Sequence, residues 1–474
     1  MHGGAAGSAE RWPREAWLPL LAGLTWLWSA PGHGFVGFLF SVIPGCLLLG
    51  SGVAMLLLSG DRRSAQWAAG GGVLGVLFAL PAFLVVGFAA GLLLVLVSAA
   101  SFVAAGWHSI KLELPHEAVP APELTVALAA QVAIDEALVA EMVSRTAMPA
   151  RAAAEDLGRE LTRALDLFGA RGWLAAPATF HANPPALEAP RIERRNLRSR
   201  EFEHLSFESG YEPHAEEPGR DRWLGYARNR TAHAWVLRHP GAERPWLMCI
   251  HGYVMGWPLV DFAVFQPELF HEQLGLNLIL PVLPLHGQRS MGRRSGEGFF
   301  GANVMDMLHA EAQAMWDLRR CLSWVRGQGD SRVGVYGLSL GGYNAALLAG
   351  LDEQLACVVA GVPVADFARI VHRHGPAISI RTAEGAGLGE ERMREVKRVV
   401  SPLELAPQVP HAHRHLFAGV ADRIVPPDHV RDLWRHWHEP EIVWYQGGHC
   451  SFRAHPQVAR MLQGALTSAG LTSA

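Results

Sequence analysis

The sequence is poor in lysine, in charge and in paired cysteine. Only Lys111 and Lys397 are lysine among 41 basic residues, set against 44 acidic ones, and the formal net charge is −3. Without a basic excess, nucleic-acid binding lacks its electrostatic footing. Charged residues make up 18% of the chain, below the roughly 25% usual in soluble domains. The five cysteines, Cys46, Cys249, Cys321, Cys357 and Cys450, are odd in number and include no C-x-x-C pair. That spacing indicates neither a disulfide framework nor a zinc knuckle, and it fits a reducing compartment. The 50 glycines and 30 prolines follow no period, which excludes a collagen-like chain. With 50% hydrophobic residues, the chain has too much apolar surface to stay disordered. The preference for arginine over lysine, with abundant alanine and glycine, reflects GC-rich bacterial coding rather than function.

Long apolar runs are what the N-terminal quarter does have. From Ala16 to Ser59 the one side chain that can carry charge near neutrality is His33, in Pro31-Gly32-His33-Gly34. After Asp61-Arg62-Arg63, a second stretch runs uncharged from Trp67 to Trp107. A spanning helix takes about 20 apolar residues. As one helix the second stretch would measure about 60 Å, twice the hydrocarbon thickness. The sequence therefore predicts two spans with a turn near Gly87–Gly91 and a kink at Pro81. The first stretch divides at Pro31–Gly34 into a short span and a longer one over Phe35–Ser59. Trp17, Trp26, Trp28, Trp67 and Trp107 lie near the proposed ends, where interfacial aromatics gather, and Arg11, Arg14, Arg62 and Arg63 mark cytoplasmic flanks. A cleaved signal peptide would be one apolar region followed by polar sequence, whereas apolar sequence here continues to residue 107. Four spans return the remainder to the cytoplasm, and three leave it outside. The expected organisation is a tail over 1–15, four transmembrane helices over 16–107, a helical connecting segment with a Pro-rich linker over 108–200, and a catalytic domain over 201–474.

In the connecting segment, Leu124, Leu128, Val132, Val139 and Val143 share one face of a predicted helix, with Asp135, Glu136 and Glu141 elsewhere on it. Leu157, Leu161, Leu165 and Phe168 recur at the same helical spacing. Neither helix has the Lys/Arg-rich polar face of an interfacial helix, so both are expected to pack on protein. Pro177 through Pro190 ends this region. From Glu201, short β-type runs alternate with helical stretches. Ala234–Leu237, Trp246–Ile250, Leu276–Leu280, Val333–Tyr336, Cys357–Val362, His415–Val420 and Ile442–Tyr445 read as strands, with helices over Met305–Arg326 and Leu340–Leu351. That alternation predicts an α/β domain with a mostly parallel sheet covered on both faces, whose chemistry gathers in the loops at the carboxyl ends of the strands.

Those loops carry reactive groups. Val335-Tyr336-Gly337-Leu338-Ser339-Leu340-Gly341-Gly342 joins a strand to a helix and contains G-x-S-x-G. The glycines flank a turn too tight for bulk beside the serine, and the helix start favours developing negative charge. Asp422 ends the next-to-last strand in Ala418-Gly419-Val420-Ala421-Asp422, and His449 follows the last in Gln446-Gly447-Gly448-His449. A serine hydroxyl needs a histidine to take its proton, and a carboxylate to hold that histidine in the right tautomer. Serine, acid and histidine stand in that order. Cys249-Ile250-His251-Gly252-Tyr253 follows an earlier strand and offers a His-Gly loop of the type that supplies an oxyanion donor. The donors are assigned to the N–H groups of Tyr253 and Leu340. His251, Gly252, His286 and Arg289 are candidate substrate-binding residues on the neighbouring loops, and His251 reads as structural rather than catalytic.

Together these segments resemble the alpha/beta hydrolase superfamily over roughly residues 200 to 470. The elbow Ser339-Leu340-Gly341-Gly342-Tyr343 is similar to that of acylaminoacyl- and prolyl-oligopeptidases, although no propeller precedes it. Gly447-Gly448-His449 and Pro284-Leu285-His286-Gly287-Gln288-Arg289 look closer to a less characterised, membrane-associated branch. The resemblance implies an alpha/beta-hydrolase fold with flanking helices, preceded by the transmembrane region; no inserted lid is evident, and the segment between Asp366 and Pro402 is the best candidate for one. It implies a serine hydrolase of carboxylic esters that needs no metal or organic cofactor. The apolar runs place it in the bacterial inner membrane, with its catalytic domain expected in the cytoplasm, and that location favours a lipid ester among small-molecule esters. The rivals are a peptidase or amidase of the same fold, and a non-catalytic binding platform. A transport unit would need buried charge in its spans, and the sequence places none there.

Several lesser groups compete for roles. Arg289, Arg293 and Arg294 share a loop and suit an anionic substrate, because guanidinium binds phosphate or carboxylate bidentately. A solvated basic loop is the alternative. Asp366 is an alternative acid. His411, His413 and His415 alternate as metal ligands would, yet no carboxylate or cysteine nearby in sequence completes a set. Cys450 adjoins His449, but a thiol nucleophile would leave Ser339 unexplained.

Overall fold

The computed structural model describes residues 13–29, 34–58, 60–144, 151–241, 243–300, 303–329 and 332–473. They form two compact units. One comprises Met1–Arg145 with the two short segments Gly419–Pro427 and Gln446–Ala454; the other takes the remaining sequence.

The first unit is built of helices α1 (Trp17–Trp28), α2 (Gly34–Leu57), α3 (Arg63–Val86), α4 (Phe88–Leu112) and α5 (Val126–Ser144). Three of these are long and apolar enough to cross a bilayer: Gly37–Leu57 within α2, and all of α3 and α4, with hydropathies of 2.0, 2.2 and 2.3. With 12 residues, α1 reaches only about 18 Å. The expected four spans therefore become three candidate spans and one short helix. The turn expected near Gly87–Gly91 is a single residue, Gly87, at φ +82° and ψ 168°. Trp26, Leu48, Ala79 and Leu94 are buried together at the centre, where the Trp26 indole N–H donates to Ser98 Oγ at 2.9 Å.

The second unit holds α6 (Arg151–Ala170) and a nine-stranded sheet among its described residues. The strands are β1 (Arg191–Leu197), β2 (Arg200–Glu208), β3 (Thr231–Leu237), β4 (Trp246–Ile250), β5 (Asn277–Val282), β6 (Val333–Leu338), β7 (Leu355–Gly361), β8 (Arg414–Gly419) and β9 (Glu441–Tyr445). Their order is β1-β2-β3-β5-β4-β6-β7-β8-β9. Antiparallel pairing joins β1, β2, β3 and β5, whereas β5, β4, β6, β7 and β8 run parallel. The central strands β4, β5 and β6 are buried along their whole length, which is why they read as continuous apolar runs. The crossing of β4 and β5, the parallel centre and the strand-to-helix serine turn after β6 make this the alpha/beta-hydrolase fold.

β1 starts at Arg191, inside the stretch read as linker, and β2 spans the expected boundary at residue 201. Both escaped the strand reading. Arg191–Leu197 has no buried residue on either face, so it carries no apolar alternation. The insertion between β7 and β8, the best candidate for a lid, is helical: Phe367–His374, Ala377–Gly385 and Glu390–Val396.

Candidate active site

β6 ends and the helix Leu340–Ala349 begins around Ser339, which has φ +57° and ψ −114°. This conformation strains a residue with a Cβ and persists only where its surroundings enforce it. Here Ser339 N–H donates to Gly361 O at 2.8 Å, and Tyr343 N–H donates to Ser339 O at 3.0 Å. The flanking glycines are required by space: a Cβ on Gly341 would strike the carbonyls of Ile250 and His251, and one on Gly337 the carbonyl of Gly341. Leu340 opens the helix, so its N–H has no partner within the helix and points where the dipole is positive. The loop after β4 lies against this turn, since the Cβ position of Gly252 falls 3.5 Å from Ser339 Cβ. That puts the Tyr253 backbone beside the elbow.

Asp422 and His449 meet within the first unit. His449 Nδ1 lies 2.6 Å from Asp422 Oδ2. The other oxygen, Asp422 Oδ1, accepts the N–H groups of Ile424 at 2.9 Å and Val425 at 2.8 Å, which fixes the carboxylate plane. Burial favours the neutral imidazole, but the Asp422 charge, its hydrogen bond and the Asp135 charge outweigh it and hold His449 above the ordinary histidine value. The carboxylate thus stabilises the protonated ring, as an orienting acid does.

The other sequence candidates divide. His251 is buried; its Nδ1 pairs with Gly252 O at 2.8 Å and its Nε2 accepts Leu283 N–H at 3.0 Å. Burial pushes it down to about 4, so a neutral ring braces the loop after β4. His286 is likewise enclosed, with Nδ1 against Pro284 O at 2.8 Å, and is pushed down to about 3 by burial and then by His251. Arg289, expected at the substrate, is 0% exposed. Its guanidinium pairs with Asp317 at 2.9 Å and donates to Val282 O at 3.0 Å and Asn229 O at 2.9 Å. The anion-binding reading of Arg289 is therefore corrected: both terminal nitrogens of its guanidinium are engaged inside the fold, whereas Arg293 and Arg294 are exposed.

Asp366 caps the helix Phe367–His374, accepting from Ala368 N–H and Arg369 N–H, and pairs with Arg394 at 2.6 Å. His411–His413 form a 3-10 turn. His411 pairs with His438 O and His415 with Glu441, so the three histidines do not converge on one point. The Cys450 thiol is pushed up to about 12 by desolvation and by the Asp135 and Asp422 charges, the reverse of an activated thiol.

Two features beside the site went unread in the sequence. The first is an aromatic cluster: Tyr253 to Phe300 at 4.8 Å, Phe300 to Phe367 at 5.9 Å, and Phe367 to Tyr343 at 4.4 Å between ring centroids. Its members come from four separate loops and helices, so no local pattern announces it. The second is Asp135 on α5, expected on a polar helix face but buried together with Glu136.

No family model matches the chain. Two curated proteins of Mycobacterium tuberculosis do: "Uncharacterized protein MT2702" of strain CDC 1551 / Oshkosh and "Uncharacterized protein Rv2627c" of strain H37Rv. Each is 42% identical over 375 residues, covering 79% of this chain and 90% of the relative. Among solved structures, the chain is similar to an acetyl xylan esterase from Paenibacillus sp. R4 at 19% identity and a TM-score of 0.45, covering 64% of this chain and 93% of that one. It is also similar to acetyl xylan esterase 1 from Thermoanaerobacterium sp. JW/SL YS485 at 16% identity and a TM-score of 0.42, covering 60% and 96%.

Proposed function

Because the chain belongs to the family of the Mycobacterium tuberculosis proteins MT2702 and Rv2627c and has the alpha/beta-hydrolase fold, we propose that it is a membrane-anchored serine hydrolase of carboxylic esters. The observation that carries this reading is the strained Ser339 turn, in a chain that also pairs Asp422 with His449. Strain at a nucleophile turn is retained where it serves the reaction.

Ser339 Oγ attacks the acyl carbonyl carbon while His449 Nε2 takes the hydroxyl proton. Asp422 holds the Nδ1–H and stabilises the imidazolium. The N–H groups of Tyr253 and Leu340 take the developing oxyanion, each worth about 100- to 1,000-fold in rate. The alcohol leaves with the proton from His449. A water molecule, deprotonated by His449, then attacks the acyl-enzyme, releasing the carboxylic acid and restoring the Ser339 hydroxyl. These steps use only groups of the chain, water and ester.

The three long apolar helices favour an apolar or lipid acyl ester over a sugar ester. Arg62 and Arg63 between α2 and α3 mark the cytoplasmic side. Counted from Arg62 and Arg63 rather than from Arg14, the spans α3 and α4 return the chain after Leu112 to that face of a bacterial inner membrane, which reverses the side expected for Arg14. Detergent-solubilised protein treated with a fluorophosphonate probe tests the reading. Wild type is expected to label, and Ser339→Ala and His449→Ala are not. A folded wild type that stays unlabelled overturns it. Competition by an amide substrate stronger than that by an ester would move the activity to a peptidase.

A further inference from the structure

Both loops that carry the acid and the histidine are fastened to α5 through one carboxylate oxygen. Asp135 Oδ2 accepts the backbone N–H of His449 at 2.8 Å and the backbone N–H of Arg423, the residue after the acid, at 3.1 Å. Gly448 makes the approach possible, because a Cβ there would lie 2.6 Å from the same oxygen. A second strap runs alongside: Arg423 Nε donates to Ser109 Oγ of α4 at 3.0 Å, and the Ser109 hydroxyl donates to Glu136 Oε1 of α5 at 2.5 Å.

Asp135 is 1% exposed, and its Oδ1 has no hydrogen-bond partner among the described residues. Burying a carboxyl in this way is costly unless its bonds accomplish something. An apolar side chain would have served a helix that merely packs. Here the two accepted amides are those that set the Asp422 turn and the His449 loop.

We propose that Asp135 is a positioning residue of the hydrolysis: it fixes the histidine and acid loops on the N-terminal helical unit and places a carboxyl charge beside the imidazole. The helical unit that carries the apolar spans thereby takes part in the chemistry as well as in anchoring. The inference rests on the proposed Ser339–His449–Asp422 reading. Around His449 the charged groups are Asp422 and Asp135, with Arg423 and Glu136 behind them. Burial and then the Asp422 charge push the Asp135 carboxyl up to about 7. In its ionised form its charge supports the imidazolium.

Two variants test this in the full-length, detergent-solubilised chain. Asp135→Asn keeps an acceptor of the same shape and removes the charge. Its His449 imidazole, followed by NMR and assigned with His449→Gln, is expected to titrate about half a pH unit or more lower. The acid limb of fluorophosphonate labelling should move the same way. Asp135→Ala orphans two buried amides, and labelling is expected to slow about 10- to 100-fold at unchanged helix content. Wild-type titration in Asp135→Asn together with wild-type labelling in Asp135→Ala overturns the proposal. If Asp135→Ala does not fold, an unshifted His449 in Asp135→Asn is sufficient to overturn it. A wild type that never labels, with the His449 shift still present, sinks the serine hydrolase and leaves the tether standing.

Discussion

Replacing Arg289 by leucine separates its two readings, as a substrate anchor and as a strut of the fold. The guanidinium is fully enclosed, and its removal leaves the Asp317 carboxylate, among the described residues, with the Ser209 hydroxyl at 2.6 Å and the more distant Arg320 charge. Breaking one side of a buried pair costs about 3–5 kcal/mol. The carbonyls of Val282 and Asn229 also lose a donor, at about 1 kcal/mol each. Such losses overlap, so about 4–6 kcal/mol is the working figure. At about 2–4 °C per kcal/mol for a unit of this size, thermal melting followed by tryptophan fluorescence should fall by roughly 10–20 °C.

The deficit also has a pH signature. Burial already raises Asp317 despite Arg289, and without the guanidinium the folded-state value rises further. The folded protein then binds more protons than the unfolded chain, so stability drops as pH rises and recovers on acidification. Leucine at both 289 and 317 should restore most of the loss. A single variant melting within about 1 °C of wild type, with activity lost only towards anionic esters, would return Arg289 to the substrate and refute the reasoning.

Asp422→Asn should lower kcat by about 10⁴-fold by disturbing the histidine tautomer; an unchanged kcat would remove Asp422 from the site. In the wild type, kcat/KM should fall on acidification with a midpoint above the ordinary histidine value near 6.5, because the working base is neutral and His449 is held high; a midpoint below 6 would contradict the pairing with Asp422. Asp366→Ala should cost about 1–2 kcal/mol through the lost helix cap and leave kcat/KM unchanged, and a large kinetic loss would make Asp366 the acid instead. Burial opposes the Asp366 charge, but Arg394 wins and holds its carboxyl below the usual range. Its share of stability is thus present above about 3.9 and is lost as pH falls through the folded value.

How much of this was legible depended on whether a signal was local. β4, β5 and β6 announced themselves because burial on both faces demands unbroken apolar runs. The elbow was legible because a tight turn dictates its glycines, and the break at Gly87 because one helix would outrun a bilayer. β1 was invisible, since an exposed strand such as Arg191–Leu197 needs no apolar periodicity. Arg289 misled for the opposite reason: a guanidinium on a loop looks solvated until its partner Asp317 is seen on another element. Asp135 was equally opaque. Its partners lie 288 and 314 residues further along, and helical spacing reports only on neighbours three and four positions away.

The distance between Asp135 and the loops it fastens also sets a clock. α5 leaves the ribosome 314 residues before His449, a gap of roughly 16–60 s at 5–20 residues per second. For most of that interval the N-terminal helices exist without Gly419–Pro427 and Gln446–Ala454, the last pieces of their own unit. Nascent chains, and chains cut short between residues 349 and 446, contain the serine turn but not the histidine loop. If His449 is the base proposed above, hydrolytic competence arrives only with the histidine loop, after the apolar helices have had time to enter a bilayer.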